Sequence, residues 1–131
     1  MQIQVNIGDP KAGKTYKKTV AEDDAKVFFG KKIGDTIKGE LLQLPGYEFS
    51  VTGGSDYCGF PMRSDVEGTL RKRILIAEGI GLRPTRAGRR VRKAVAGNTV
   101  YARTAQLNVK VTKHGAGPIE QPTEQPAAAA E

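Results

Sequence analysis

One cysteine, one histidine and no tryptophan stand in this chain of 131 residues. With Cys58 alone no disulfide can close within the chain, and with His114 alone no Cys/His metal site can be assembled. An unpaired thiol fits a reducing, cytoplasmic setting. Aromatic residues are scarce, four Tyr and four Phe, which argues against a platform on which a run of single-stranded bases could stack. No apolar run approaches the length of a membrane span, and residues 1–5, Met-Gln-Ile-Gln-Val, lack the basic start and apolar stretch of a signal peptide. Neither a membrane partner nor a secretory route is expected.

Acidic residues are also in deficit. The chain holds 21 Lys plus Arg against 14 Asp plus Glu, a net charge of +7. Three of the acidic residues, Glu120, Glu124 and Glu131, fall in the last seventeen positions, where nothing is basic. Residues 1–114 therefore carry 21 basic against 11 acidic groups. Such an excess on a small domain favours a polyanionic partner.

The hydrophobic pattern predicts short strands. Residues 2–7 alternate strictly, with Ile3, Val5 and Ile7 on one side. A turn over residues 8–13 leads to a partner strand over 15–20. Residues 22–29 begin acidic and suit one or two helical turns ended by Gly30. Residues 36–43 and 47–52 read as two strands joined through Leu44-Pro45-Gly46, and residues 52–62 as a Gly-rich loop. Strands follow over residues 70–77 and 107–111, the latter alternating Leu107, Val109 and Val111. The expected fold is mainly β: a small single-domain barrel-like or partly open β fold with one short helix and a disordered C-terminal tail. The domain is placed at residues 1–114 and the flexible acidic, Ala/Pro-containing tail at 115–131.

Residues 8–15, Gly-Asp-Pro-Lys-Ala-Gly-Lys-Thr, match the phosphate-loop pattern G-x-x-x-x-G-K-[ST]. In a true site Lys14 would reach the phosphates and Thr15 would hold magnesium, from the start of a helix. The residues that follow, Tyr16-Lys17-Lys18-Thr19-Val20, read as strand, and no apolar strand ends in a magnesium-binding aspartate. A hairpin turn is the better reading. Asp56 and Cys58 likewise lack a recognisable base or nucleophile beside them. No catalytic residue, metal ligand, cofactor or small-molecule substrate is expected.

The densest feature is residues 83–93, Arg-Pro-Thr-Arg-Ala-Gly-Arg-Arg-Val-Arg-Lys, with five Arg, one Lys and no acidic residue. Pro84 and Gly88 argue against a regular helix, so an extended loop should enter a strand near Arg90. Val91 and Val95 would then face the core, and Arg90 and Arg92 the solvent. Guanidinium forks onto phosphate oxygens and stacks on bases, so contacts to the backbone and shape of structured RNA are expected.

Two segments together carry a family resemblance. Val51, Gly53, Gly54, Asp56, Gly59, Pro61 and Met62 fit apolar-x-Gly-Gly-x-Asp-x-x-Gly-x-Pro-Met. Downstream stand Arg83-Pro84-x-Arg86-x-Gly88 and Arg92-Lys93-x-Val95-x-Gly97. This pair of blocks resembles the small-subunit ribosomal protein S-six-e family, of eukaryotic and archaeal type, over about residues 1–114. The resemblance implies a mainly β core embedded in small-subunit ribosomal RNA, beside neighbouring small-subunit ribosomal proteins, with no catalysis. Eukaryotic members continue into a long basic extension whose serines receive regulatory phosphates; the short acidic tail here looks archaeal, and that control is not carried over.

On this reading Arg71, Lys72 and Arg73, with Arg83, Arg86, Arg89, Arg90, Arg92 and Lys93, contact RNA. Arg63, Arg103, Lys110 and Lys113 are further contacts. Gly53, Gly54, Asp56, Gly59, Pro61 and Met62 form a structural loop that turns Phe60 and Met62 inward. The alternatives are a free-standing RNA-binding regulator and a small nucleotide-binding protein acting through residues 8–15.

Overall fold

A computed structural model describes residues 2–83 and 85–119; Pro84 and the greater part of the expected tail, residues 120–131, lie outside the described residues. Strands β1 (Ile3–Asp9) and β2 (Lys14–Val20) form an antiparallel hairpin. The alternation of β1 maps directly onto burial, with Ile3, Val5 and Ile7 inside. Helix α1 (Glu22–Ala25) places Glu22, Asp23 and Asp24 in its first turn, where unpaired N–H groups favour negative charge. It tightens into a 3-10 turn, Lys26–Phe28, that drops Phe28 into the core, and Gly30 leaves it at φ +85°.

Five further strands follow: β3 (Thr36–Lys38), β4 (Glu48–Asp56), β5 (Lys72–Ile76), β6 (Val91–Val95) and β7 (Thr104–Lys113). Five strands make one sheet in the order β2-β1-β7-β4-β3, parallel between β1 and β7 and antiparallel elsewhere. The sheet does not close into a barrel, so the fold is the partly open form of the expected architecture, mainly β with one short helix. Among the described residues β5 and β6 pair only with each other, as a two-stranded ribbon between β4 and β7 in sequence.

One face of the sheet is dry. Val5, Phe49 and Leu107 are fully buried, and Phe28, Leu42, Met62 and Val100 close over them in one cluster. Burying each large side chain contributes about 1.5–3 kcal/mol, so this single layer of contacts carries most of the stability. The other face is polar: Asn6 donates to Asn108 across β1 and β7 at 3.1 Å, and Gln106 to the same oxygen at 2.9 Å.

Two expectations change. The strand over residues 36–43 stops at Lys38, and Gly39–Leu42 is a 3-10 turn. Gly39 sits where a Cβ would lie 2.3 Å from the Leu44 carbonyl, and Gln43 turns the chain at φ 59°. Lys18 donates to the Leu42 carbonyl at the turn's end, and burial lowers the ammonium's pKa. The loop placed at residues 52–62 begins later, because β4 runs on through Gly53 and Gly54 to Asp56. Alternation hides that strand: its register against β7 shifts between Val51 and Gly53 and again between Ser55 and Asp56.

Residues 115–119, assigned to the tail, pack on the body. Tyr47 donates its hydroxyl to the Gly117 carbonyl, Gly115 lies against the Tyr47 ring, and Ile119 packs against the core.

The two adjacent glycines of β4 differ. At Gly54 a Cβ would stand 2.3 Å from the Gln106 carbonyl oxygen, whereas at Gly53 nothing lies within 4 Å. Gly54→Ala should therefore destabilise by roughly 2–3 kcal/mol in urea unfolding, and Gly53→Ala should stay within about 0.5 kcal/mol of the parent.

Candidate nucleic-acid interface

The phosphate-loop pattern is a hairpin. Its residues close the β1–β2 turn with Gly13 at φ +65°, and Lys14 and Thr15 lie exposed on β2, not at a helix start. The turn's own carboxylate occupies the place of an anion: Asp9 Oδ1 accepts from the Lys11 N–H at 2.9 Å and the Ala12 N–H at 3.4 Å. His114 Nε2 lies 2.9 Å from the same oxygen, and its hydrogen bond holds the Asp9 carboxyl below the usual carboxylate pKa. A nucleotide phosphate would meet a negative group at the centre of the loop.

The basic stretch behaves differently. It leaves β5 through residues 77–82, crosses an exposed tip and enters β6 at Val91, close to the expected point. Pairing sets Ile76 opposite Val91 and Leu75 opposite Arg92. Alternation then puts Ile74, Ile76, Val91 and Val95 on one face, with Val95 and Ile76 buried, and Arg73, Leu75 and Arg92 on the other. Arg83, Arg86, Arg89, Arg90, Arg92 and Lys93 are all exposed, as are Lys72 and Arg73. None of these eight cations is ion-paired with a carboxylate among the described residues. Arg89 donates to the Thr85 hydroxyl at 2.8 Å, a local brace within the tip.

Two other arginines are built into the fold. Arg63 forks onto Asp65, with Nε and Nη2 each 2.9 Å from a carboxylate oxygen, and donates through Nη1 to the Ile80 carbonyl at 2.8 Å. The hydrogen bond to Asp65 raises the Arg63 pKa and lowers that of Asp65. Three of its five N–H groups thus hold the root of the ribbon. Arg71 sets Nε 2.9 Å from Oδ2 of Asp56, a side chain 1% exposed. Burial works against the Arg71 charge, but Asp56 with Tyr57 and Cys58 outweighs it and holds the pKa above its usual value.

Asp56 organises the Gly-rich loop. Its Oδ1 accepts from the N–H groups of Cys58 and Phe60 at 2.9 and 3.0 Å, while Gly59 turns the chain at φ +84°. Pro61 and Met62 lead out, Met62 buried in the core and Phe60 half-buried. Of the structural set Gly53 and Gly54 lie inside β4, and Asp56 is its last residue.

The remaining basic residues do not form one patch. Arg103 precedes β7 at the ribbon's end of the sheet, whereas Lys113 closes that ten-residue strand beside Glu48 at 3.6 Å. A strand of this length separates them by roughly 30 Å. Lys110 lies between, exposed on the polar face of the sheet. Sequence reading missed Tyr57, a residue 42% exposed, with the Arg71 and Arg103 guanidinium carbons 5.1 and 5.5 Å from its ring centroid. It stands at an unspecified position of the Gly-rich pattern, and only the fold brings Arg103 to it.

The class is that of a small basic β protein with an arginine-rich ribbon. Among the described residues no three His, Cys, Asp or Glu gather as a metal site, and no helix is long and apolar enough to cross a membrane. The family model described as ribosomal protein S6e matches residues 3–124, and the chain belongs to that family. Its relatives include the small ribosomal subunit protein eS6 of Archaeoglobus fulgidus, 45% identical over 92% of this chain and 95% of that protein. The protein of the same name from Methanoculleus marisnigri is 41% identical over 98% of both chains, and that from Methanosphaera stadtmanae 46% over 77% and 78%. The family is one of ribosomal proteins and not of enzymes.

Arg63→Ala should speed amide hydrogen exchange over residues 79–82 and 91–96 by several-fold while leaving β1 and β7 protected; equal acceleration throughout would show a global loss instead. The Asp9 carboxyl, held low, contributes stability that is full above its unfolded value near 3.8 and is lost as pH falls through the folded value. Asp9→Asn should therefore flatten the acid limb of stability below about pH 4, read from urea midpoints across pH.

Proposed function

We propose that this chain is a structural component of the small ribosomal subunit that binds folded small-subunit ribosomal RNA through arginine and lysine contacts to its backbone. It supports translation from that position, beside neighbouring small-subunit proteins and in the cytoplasm. One observation carries the reading: the ribbon and its tip gather eight exposed cations with no carboxylate paired to them among the described residues. The names borne by the relatives supply the subunit.

The primary surface is Lys72, Arg73, Arg83, Arg86, Arg89, Arg90, Arg92 and Lys93. Arg103, Lys110 and Lys113 make separate, secondary contacts, because the sheet holds them apart. Arg71 and Arg63 act first as supports, each with donors left over for a phosphate at the ribbon's root. Like charges crowded at the tip repel, and an RNA backbone removes that repulsion while releasing its condensed counterions.

The salt dependence of RNA binding tests this. Log affinity should fall linearly with log salt, and replacing Arg89, Arg90 and Arg92 with Ala should lessen the slope by about 2–3, near 0.7–0.9 per phosphate contact. An unchanged slope would remove the tip from the interface. Co-sedimentation with small subunits through a high-salt gradient separates this reading from a free-standing RNA-binding regulator.

A further inference from the structure

The Gly-rich loop ends in a constellation that backbone contacts do not require. Tyr57 presents an exposed ring at the end of β4, in a loop that is firmly tied down. Its N–H donates to the Arg103 carbonyl at 2.9 Å, and Asp56 gathers the amides on its far side. Arg71 lies over Tyr57 and also over Phe60, 4.9 Å from that centroid, with Nη2 donating to the Tyr57 hydroxyl at 2.8 Å. Arg103 reaches the same hydroxyl at 3.5 Å. Nη1 of Arg71, with Nε and Nη2 of Arg103, has no hydrogen-bond partner among the described residues.

Two guanidinium planes and one phenol ring are thus fixed in advance beside free donors, with two cations against one carboxylate. We infer that Tyr57, Arg71 and Arg103 form a seat for a single unstacked RNA nucleotide, its base against the exposed ring or a guanidinium plane and its phosphate on the free N–H groups. The chemistry matches the way unpaired bases are held, by aromatic and arginine faces, with charge supplied for the backbone beside them. Scarcity of aromatics excludes a run of stacked bases, but one nucleotide needs only one such face. The site lies at the ribbon's root, so it would read an extruded base where the ribbon lies on RNA. This inference rests on the proposed RNA-binding function and adds a point of base contact to it.

Short-wave ultraviolet irradiation of salt-washed small subunits holding the full chain tests it, with mass spectrometry of nucleotide-modified peptides. A nucleotide adduct on Tyr57 is expected. Tyr57→Ala should weaken retention on subunits by roughly 5- to 100-fold, as loss of one stacked base does, whereas Tyr57→Phe, which keeps the ring, should hold within about twofold of the parent. The ring's exposure leaves the core intact in both variants, and unchanged urea midpoints check this. Adducts confined to ribbon residues would overturn the inference and leave the RNA-binding reading standing. A Tyr57 crosslink to a neighbouring protein would overturn it in favour of a protein contact. Equal losses in the Ala and Phe variants would overturn stacking. Absence of every adduct together with failure to co-sediment would overturn the function beneath it as well.

Discussion

Strand β7 fills the gap between β1 and β4, and the rest of the structure depends on that insertion. It pairs in parallel with β1 over Gln4 to Gly8 and antiparallel with β4 along its whole length. Leu107, Val109 and Val111, all buried, supply the middle of the core. The sheet is therefore incomplete until residues from the far end of the chain arrive, and closing so long a loop precedes any reward from the contacts it makes. One consequence is local. The ribbon's connections emerge from the ends of two strands already locked side by side, Asp56 of β4 against Thr104 of β7. The root of a basic arm is in this way fixed by the most strongly paired part of the fold.

Where the carboxylates sit decides what each arginine does. Arg63 and Arg71 have acidic partners at 2.9 Å and become struts, tying residues 79–82 and the Gly-rich loop to the body. Asp56 is nearly inaccessible, so a missing partner would leave a buried charge uncompensated, a far larger penalty than the loss of a surface pair. The tip arginines have no such partner among the described residues; they are exposed, and Arg89 is braced by the Thr85 hydroxyl. One residue type thus serves two roles, separated only by whether an aspartate is folded next to it. Sequence spacing could not show that for Arg71, because its aspartate, Asp56, stands fifteen positions earlier in the chain.

Much of the scaffold was legible because it rests on local rules. Period-two alternation located β1 and the middle of β7, and the inward Val91 and Val95 followed from the same rule. The missing helix after Lys14 separated a hairpin from a phosphate loop, and the structure adds Asp9 at its centre. What failed was non-local. Gly53 and Gly54 read as loop residues, yet Gly54 is glycine because the Gln106 backbone crosses it, a contact between residues about fifty positions apart. Residues 39–42 alternate well enough for a strand, but the close approach of Gly39 to Tyr47 bends them into a turn. The seat at Tyr57 was invisible for the same reason, since Arg103 reaches it only after β7 docks. Of the basic surface, the ribbon could be named from composition, while its division from Lys110 and Lys113 needed the sheet.

A ribbon is a fitting carrier for the charge. An exposed helix needs an apolar stripe against the body, whereas a two-stranded ladder pairs its strands with each other and can present a full face outward. Here that face holds Arg73 and Arg92 around Leu75, which remains 53% exposed, while the opposite face buries Ile76 and Val95. Paired strands this short are marginal alone, so the brace from Arg63 and the contact of Gly81 with Val95 and Pro61 matter more than their number suggests. Beyond that brace no buried residue stands in the tip, among the described residues, to be destabilised by repulsion. The chain thus keeps its densest charge where it has no core, and its core where charge is sparse. That separation lets a domain of this size carry 21 basic groups against 11 acidic ones over residues 1–114 and still close a dry sheet face. It also leaves like charges crowded at the tip, where they repel one another.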